Sequence, residues 1–375
     1  MIKSIAVCVT SDLATDNRVL KHCEVLHHEG FKVLLIGRRL PSSLDMPELP
    51  YSVHRFKMRF TKGPFFYLFL QLRLLFYLVK HKTSVIWAND LDTVLPVYLI
   101  SKMRGQDFIF DAHELFTEVP ELFGKPIKRG IWKFIEKRFA TKAKLFITVN
   151  NSLANCFKEA YHIEAAVIRN VPKRTPLPLK IDRDTLGISS EDLVLVLQGS
   201  GINKGRGLKE SIDAIAGLDG VHLIVIGGGD ALPDAKQQVI NLNLSHCIHF
   251  YPRMPYREMM QYTQLADLGL AFDAHQCLNF QLALPNKVFD YFHAGIAVLT
   301  GPQPEISQLI STYECGYIMS KVDPESIRWA ISFYQKNTQL LATHKINALK
   351  AAAVEHWDNE QEKLKALIEP IKDWT

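Results

Sequence analysis

Cysteine is sparse in this chain and never paired in sequence. The six residues at 8, 23, 156, 247, 277 and 315 include no CxxC and no metal-ligand spacing, which excludes a zinc ribbon or a thioredoxin-type motif and predicts reduced thiols. Long apolar runs are missing too. The most apolar stretch, PFFYLFLQLRLLFYLV (64–79), is too short to span a bilayer and carries Gln71 and Arg73 inside it. Only five apolar residues, Ile5 to Val9, follow Lys3, so no export signal is read and a cytoplasmic location is expected. Low-complexity tracts and repeats of solenoid period are absent, which argues against disorder and against a repeat array.

What is present is the composition of a folded protein. With 375 residues, 47% of them hydrophobic and 22% charged, two domains with separate cores are expected. Charge is unevenly spread. Residues 1–172 carry 25 Lys and Arg against 16 Asp and Glu, whereas the remainder carries 19 against 23. A basic first half suggests an anionic surface as partner, and no nucleic-acid motif accompanies the charge.

Short β-branched apolar runs alternate with helical patterns, which predicts parallel sheets covered by helices on both faces. Strands are expected near 4–10, 32–36, 84–88, 108–111, 144–149 and 165–168. A second series follows in LVLVLQG, VHLIVIGGG, CIHF, LGLAF and IAVLT. Between the two series, VPKRTPLPLKIDRD (171–184) reads as a linker, with three prolines among charged residues. The fold class expected is therefore α/β, with two Rossmann-like doubly wound domains, 1–172 and 173–355, facing across a cleft, and a final helix, 356–375, crossing back. Segment 64–79 reads either as a buried crossover helix or as a membrane-surface element. IKRGIWKFIEKRFATKAK (127–144) sharpens the second option, because Lys128, Arg129, Lys133, Lys137 and Arg138 surround Ile131, Trp132, Phe134 and Ile135.

Ligands in open α/β sheets lie beyond the carboxyl ends of strands, and five segments stand there. In LQGSGINKGRGLKESI (197–212) a strand ends at Gly199 and a helix starts near Gly207, with Lys204 and Arg206 between. Glycine allows close backbone approach to an anion and the helix start offers free N–H groups, so this is a phosphate-site pattern or a plain flexible turn. It does not complete GxxxxGK[ST], which disfavours a P-loop NTPase. VIGGGDALP (225–233) repeats the strand-to-glycine theme at Gly227 and Gly229 without completing GxGxxG. In LPNKVFDYFHAGIAV (284–298), Pro285 precedes a helix expected over 286–294 and closed by Gly295. Free amides at Asn286 and Lys287 would face an anion there, and Asp290, one turn on, could accept hydrogen bonds from ribose hydroxyls. A surface Lys–Asp pair is the plainer alternative. FIFDAHELFTEVPEL (108–122) delivers His113, Glu114 and Glu118 after a buried strand. TSDLATDNRV (10–19) delivers Ser11, Asp12, Asp16 and Arg18 after the first strand; Asp16 also fits a helix cap.

At these residues the chain resembles glycosyltransferase family 4, the retaining enzymes of GT-B fold that include many bacterial polysaccharide and lipid-sugar transferases. The likeness spans nearly the whole chain, from DNRV and VIRNVP (167–172) to HWDNEQEKLKALI (356–368), which is similar to the family's terminal helix. The resemblance implies that Arg206 and Gly207 stand for the family's Lys-Gly phosphate pair. Ser200 occupies a position where an arginine is often found. Asp290 aligns with the second of two family glutamates, while Leu282 replaces the first, and LPNKVFDY resembles a PNK-type subset in which Lys287 lies beside the leaving phosphate. His113 matches a histidine that contacts the donor sugar.

The resemblance thus implies transfer of a sugar from a nucleoside-diphosphate sugar to a glycan or lipid-linked acceptor in surface polysaccharide synthesis. His113, Arg206 and Lys287 would take part in catalysis, and Gly199, Ser200, Lys204, Arg206, Gly227, Gly229, Asn286, Lys287, Val288 and Asp290 would hold the donor. Asp12, Asp16, Arg18 and Glu114 would lie on the acceptor side. Neither a cofactor nor a metal is expected, and peripheral attachment to the inner face of an anionic membrane is. Two alternatives share the fold: a non-catalytic binder of nucleotide-sugar or glycan, and a sugar-nucleotide epimerase.

Overall fold

The structure, a computed structural model, describes all residues except 1–2, 41–42, 44, 47, 61–62, 179–180, 273–276 and 375. Part of the expected linker, 179–180, thus lies outside the described residues. Contacts divide the chain into two compact units, Met1–Asn170 with Glu360–Thr375, and Val171–Asn359.

The first unit runs β1 (Ser4–Asp12), α1 (Asn17–His28), β2 (Lys32–Arg39), β3 (Ser52–Lys57), α2 (Gly63–Lys80), β4 (Val85–Asn89), α3 (Leu91–Arg104), β5 (Phe108–Ala112), α4 (Pro126–Arg138), β6 (Leu145–Thr148), α5 (Asn151–Tyr161) and β7 (Ala166–Val167). Its seven parallel strands lie in the order β3-β2-β1-β4-β5-β6-β7. The order reverses between β1 and β4, and a crevice opens at such a switch point. Strands buried on both faces read as continuous apolar runs, as β4 does, every residue of which is buried. β3 has no counterpart among the expected strands. It is an edge strand, SVHRFK, in which Phe56 alone is buried, so the sequence lacks an apolar face there.

Helix α1 shows how sequence sets an element. Asp16 caps it by accepting the Val19 N–H at 3.1 Å, and Val19, Cys23 and Leu26 bury one stripe against the sheet. α2 corrects the reading of 64–79 as a buried crossover helix. Phe66, Leu70, Leu74 and Leu78 are buried, yet Phe65, Leu68, Phe69, Leu72, Phe76 and Val79 are exposed. One stripe suffices to seat a helix on its neighbours, so an all-apolar helix in this position leaves half its surface uncovered.

The second unit runs β8 (Leu193–Gly199), α6 (Leu208–Ile215), β9 (Val221–Gly227), α7 (Leu232–Asn241), β10 (Ile248–Tyr251), α8 (Tyr256–Thr263), β11 (Leu268–Ala271), α9 (Leu278–Gln281), α10 (Asn286–Ala294), β12 (Ala297–Thr300), α11 (Pro304–Tyr313), β13 (Gly316–Ile318), α12 (Pro324–Lys336), α13 (Thr338–Ala352) and α14 (Trp357–Ile368). Six parallel strands lie in the order β10-β9-β8-β11-β12-β13, with the switch point between β8 and β11. Leu195, Leu223, Leu270 and Leu299 of four strands share one core with Ile212 of α6 and Ile331 of α12. Residues in α14 change allegiance along the helix. The Trp357 N–H donates to the Pro172 carbonyl at 2.8 Å, while the Glu360 carboxylate accepts the Arg169 N–H at 2.8 Å.

Candidate functional site

In the second unit, two glycine-rich turns are built against each other beside the switch point. Gly199 and Gly227 are register partners at the ends of β8 and β9. A Cβ on Gly227, whose φ is +137°, would lie 1.9 Å from the Gly199 carbonyl oxygen, and one on Gly229 would lie 2.1 Å from that of Ile202. The Gly228 N–H donates to Gly199 O at 3.3 Å and the Ile202 N–H to Gly228 O at 2.7 Å. These glycines therefore let one turn pack on the other, which fixes both. Gly207, with φ +76°, starts α6 without a side-chain cap, and a Cβ there would meet Phe272 at 2.6 Å. Free amides of the first turn of α6 remain beside the end of β11.

The basic residues of this turn differ in how they are held. The half-buried Arg206 guanidinium lies 4.5 Å over the Phe280 ring, which orients it. Lys204, 70% exposed, pairs with Asp234 of α7 at 2.8 Å. Sequence reading gave both residues a phosphate role; the fold gives Arg206 the fixed position and directs Lys204 to an exposed partner. It also adds a residue that was missed. Arg253, two residues beyond β10, donates from Nη2 to the Ser200 carbonyl and lies against Gly228. Where the resemblance expects an arginine and the chain has Ser200, a guanidinium thus arrives from another loop, with no local sequence signal.

Helix α10 spans the expected 286–294, with Pro285 before it and Gly295 closing it at φ +68°. Asn286 is exposed, Lys287 half-buried and Val288 buried in the core. Asp290 is pinned from two sides: its carboxylate accepts Gln198 Nε2 at 3.2 Å and the Tyr256 hydroxyl at 2.9 Å. Burial, then the Asp290 carboxylate, pushes the Tyr256 phenol up, so it stays a donor. Gln198 directly precedes Gly199 and accepts the Thr263 hydroxyl at 2.6 Å. The two ends of the expected donor site, Gly199 and Asp290, are therefore joined through one side chain. Leu282 sits half-buried just after α9.

In the first unit the carboxyl ends of β1, β4 and β5 carry a polar cluster. His113 Nε2 lies 3.2 Å from Asn89 Oδ1 and 3.4 Å from Asp111 Oδ2, and Nδ1 lies 3.3 Å from Asp90 Oδ2. Burial disfavours the imidazolium, but Asp90 and Asp111 outweigh it and raise the His113 pKa to about 9. At neutral pH this residue is a cation and a double donor, suited to hold negative charge or hydroxyls and not to act as a base. The raised value sets a pH window. Stability from the charged ring is fully present below the ordinary histidine value near 6.5 and is lost as pH rises through about 9. His113→Gln should therefore flatten the decline of the first unit's urea midpoint between pH 6.5 and 9; an unchanged slope would refute the pairing.

The residues expected on the acceptor side are largely consumed by the frame. Asp12 accepts Arg55 at 2.8 Å and the Ser43 hydroxyl at 2.6 Å. Asp16 caps α1 and also accepts the Ser11 hydroxyl. Arg18, 3% exposed, forks onto Asp111 at 2.7 and 3.2 Å and donates to the Ile168 carbonyl at 2.7 Å, so it ties α1 to β5 and does not face outward. Glu114 remains half-buried. Sequence reading missed Asp90 and Asp92. Asp90 holds φ +57° at the start of α3 and turns its carboxylate away from that helix to accept the His113 N–H at 2.8 Å. Strain of this kind in a non-glycine residue clusters at functional sites. Among the described residues no three His, Cys, Asp or Glu side chains group as a metal site.

Residues 16–173 match the profile of Glycosyltransferase Family 4, and residues 180–351 that of Glycosyl transferases group 1. Chitobiosyldiphosphodolichol beta-mannosyltransferase of Debaryomyces hansenii is 22% identical over 303 residues, covering 76% of this chain and 62% of that protein. Among solved structures, sucrose-phosphate synthase from Thermosynechococcus elongatus superposes with a TM-score of 0.77 at 14% identity, over 99% of both chains. WaaG, a glycosyltransferase involved in lipopolysaccharide biosynthesis, gives 0.75 at 14% over 97% of this chain and 99% of that one. Anabaena HepE in complex with UDP-glucose gives 0.74 at 16% over 98% and 99%. Two profiles side by side cover nearly the whole of a doubled Rossmann-like frame, and the chain belongs to glycosyltransferase family 4, with the GT-B fold.

Proposed function

We propose that this protein is a retaining glycosyltransferase that takes a sugar from a nucleoside diphosphate and passes it to a glycan or lipid-linked acceptor. The observation that carries the reading is the joined pair of elements in the second unit. Paired turns at Gly199 and Gly227 and the start of α6 offer amides and Arg206 to a diphosphate. Gln198 connects that turn to Asp290 of α10, the residue that would accept ribose hydroxyls. Lys287 and Arg206 neutralise the leaving diphosphate, Arg253 supports the same turn, and no metal is needed. His113, held as a cation, serves the transferred sugar. The leaving phosphate itself assists deprotonation of the acceptor, so no covalent nucleophile is required. That relatives and neighbours include a mannosyltransferase named for a dolichol-linked substrate and a protein complexed with UDP-glucose supports donor and acceptor of these classes.

The test is acceptor-dependent release of nucleoside diphosphate, with the anomeric proton of the product read by NMR. Retained configuration and a rate indifferent to EDTA are expected. Inversion would overturn the stereochemical assignment. Donor binding with no turnover across many acceptors would favour a non-catalytic binder, and a sugar isomer formed without acceptor an epimerase.

We further propose attachment of the first unit to an anionic membrane surface. Exposed Phe65, Phe69 and Phe76 of α2 and exposed Ile127, Ile131 and Phe134 of α4 lie on helices joined by the Tyr67–Trp132 ring contact at 5.3 Å. Lys128, Lys137 and Arg138 are exposed on α4, and no helix is long and apolar enough to cross a membrane among the described residues. Apolar side chains ringed by basic ones suit an interfacial helix. Removing these three charges should weaken co-sedimentation with phosphatidylserine-containing liposomes by about 1 kcal/mol each. Equal binding of variant and wild type, or no preference for anionic over neutral lipid, would sink the assignment.

A further inference from the structure

Which side chain of the first unit meets the acceptor hydroxyl can be argued by elimination. Buried carboxylates there are mostly satisfied: Asp111 by Arg18, and the largely buried Asp12 by Arg55 and Ser43. Asp92 is different. It is 6% exposed, in the first turn of α3, and its Oδ2 accepts the Thr10 hydroxyl at 2.5 Å. Its Oδ1 has no partner, and it is the one buried carboxylate oxygen in that condition among the described residues. Thr10 lies near the carboxyl end of β1 and Asp92 just beyond that of β4, so the pair straddles the switch point of this sheet, where ligands bind in open α/β folds. Gln71 of α2 donates to the Asp92 carbonyl at 2.5 Å, and its own Oε1 is a second buried acceptor without a donor. Two unsatisfied buried acceptors, next to the strained Asp90, call for a ligand that brings donors.

We infer that Asp92, with Gln71 beside it, binds a hydroxyl of the acceptor sugar at the β1/β4 switch point. The inference rests on the proposed transfer reaction and names the group that receives its acceptor. A polyol supplies O–H donors in the number and spacing that two adjacent acceptors can use, and a carboxylate accepts them more strongly than a neutral oxygen does. The surroundings agree. Thr10 of β1, Tyr67 and Gln71 of α2, Asp90 at the start of α3, and His113 and Glu114 after β5 surround the carboxyl. Among the described residues no lysine or arginine pairs with it, and burial followed by the Asp90 charge raises its pKa to about 7. An unpaired buried charge lowers stability, a condition that proteins keep where function needs it.

Asp92→Asn separates this role from a structural one. Because the folded pKa lies above the ordinary carboxylate value, the wild type loses stability as pH rises from about 4 through about 7. The variant should therefore melt several degrees higher than wild type at pH 8, with the difference narrowing as pH falls and gone near pH 4. Saturation-transfer NMR with methyl glycosides of glucose, galactose, mannose and N-acetylglucosamine should show binding to the wild type, weakened about tenfold in Asp92→Asn and lost in Asp92→Ala. An Asp92→Asn protein less stable than wild type at pH 8, equal glycoside binding in all three proteins, or no glycoside binding by the wild type would overturn the inference. Failure of every nucleotide-sugar to bind the wild type would instead overturn the proposed function and leave the melting and glycoside results readable.

Discussion

Replacing Arg18 with alanine is expected to destabilise the first unit by about 3–5 kcal/mol, the range seen when one partner of a buried ion pair is removed. The reason is what stays behind. Asp111 is fully buried, and although burial raises its pKa, Arg18 and His113 hold the carboxyl well below the usual range. Without the guanidinium that charge has only His113 and the neutral His22, whose own pKa burial and Arg18 push down to about 4. The Ile168 carbonyl also loses its donor. Arg18→Lys should recover little, since an ammonium cannot fork onto both carboxylate oxygens and reach Ile168 as well. Urea unfolding followed by tryptophan fluorescence reads this through Trp87 of β4, which is wholly buried and whose ring lies 5.4 Å from that of His22. A loss below about 1 kcal/mol, the value of a surface pair, would show that Arg18 is not the buried tie described.

The second large effect concerns turnover. Arg206→Ala should lower kcat/KM about 100-fold or more, the usual consequence of removing one fixed charge or donor from a developing anion. Lys204→Ala should change it less than about threefold, because that ammonium is exposed and already paired with Asp234. The contrast matters because both residues are basic and two positions apart, and the glycine-rich turn pattern by itself does not separate them. Phe280→Ala should reproduce part of the Arg206 loss by freeing a guanidinium that the ring now orients. Equal losses at 204 and 206 would mean that the turn rearranges around its ligand and that the stacked position is not the working one.

These contrasts show how far the sequence could be read. Patterns local in the chain were legible. The α10 helix was bounded correctly by Pro285 and Gly295, and strand ends at Gly199 and Gly227 were visible because glycine there answers to a backbone requirement. Arrangements that depend on partners distant in sequence were not. Arg18 reads as an exposed base until the fold buries it against Asp111, 93 residues on. Arg253 lies 53 residues from Ser200, whose carbonyl it meets. Asp90 and Asp92 carry no motif; their meaning comes from a left-handed backbone at one and a missing partner at the other. The edge strands β3 and β13 escaped for a related reason, since neither has a continuous apolar run to announce it. In α2 the composition was plain but its two faces were not, because an all-apolar helix does not say which stripe the sheet will take.

Donor recognition by the second unit is most directly tested by thermal shift with UDP-, GDP- and ADP-sugars, comparing wild type with Arg206→Ala. The expected result is that one nucleotide class raises the melting temperature with the logarithm of its concentration over its Kd, and that the shift shrinks sharply in the variant. A wild type that no nucleotide-sugar stabilises at millimolar concentration, or an Arg206→Ala protein stabilised to the same extent, would contradict it.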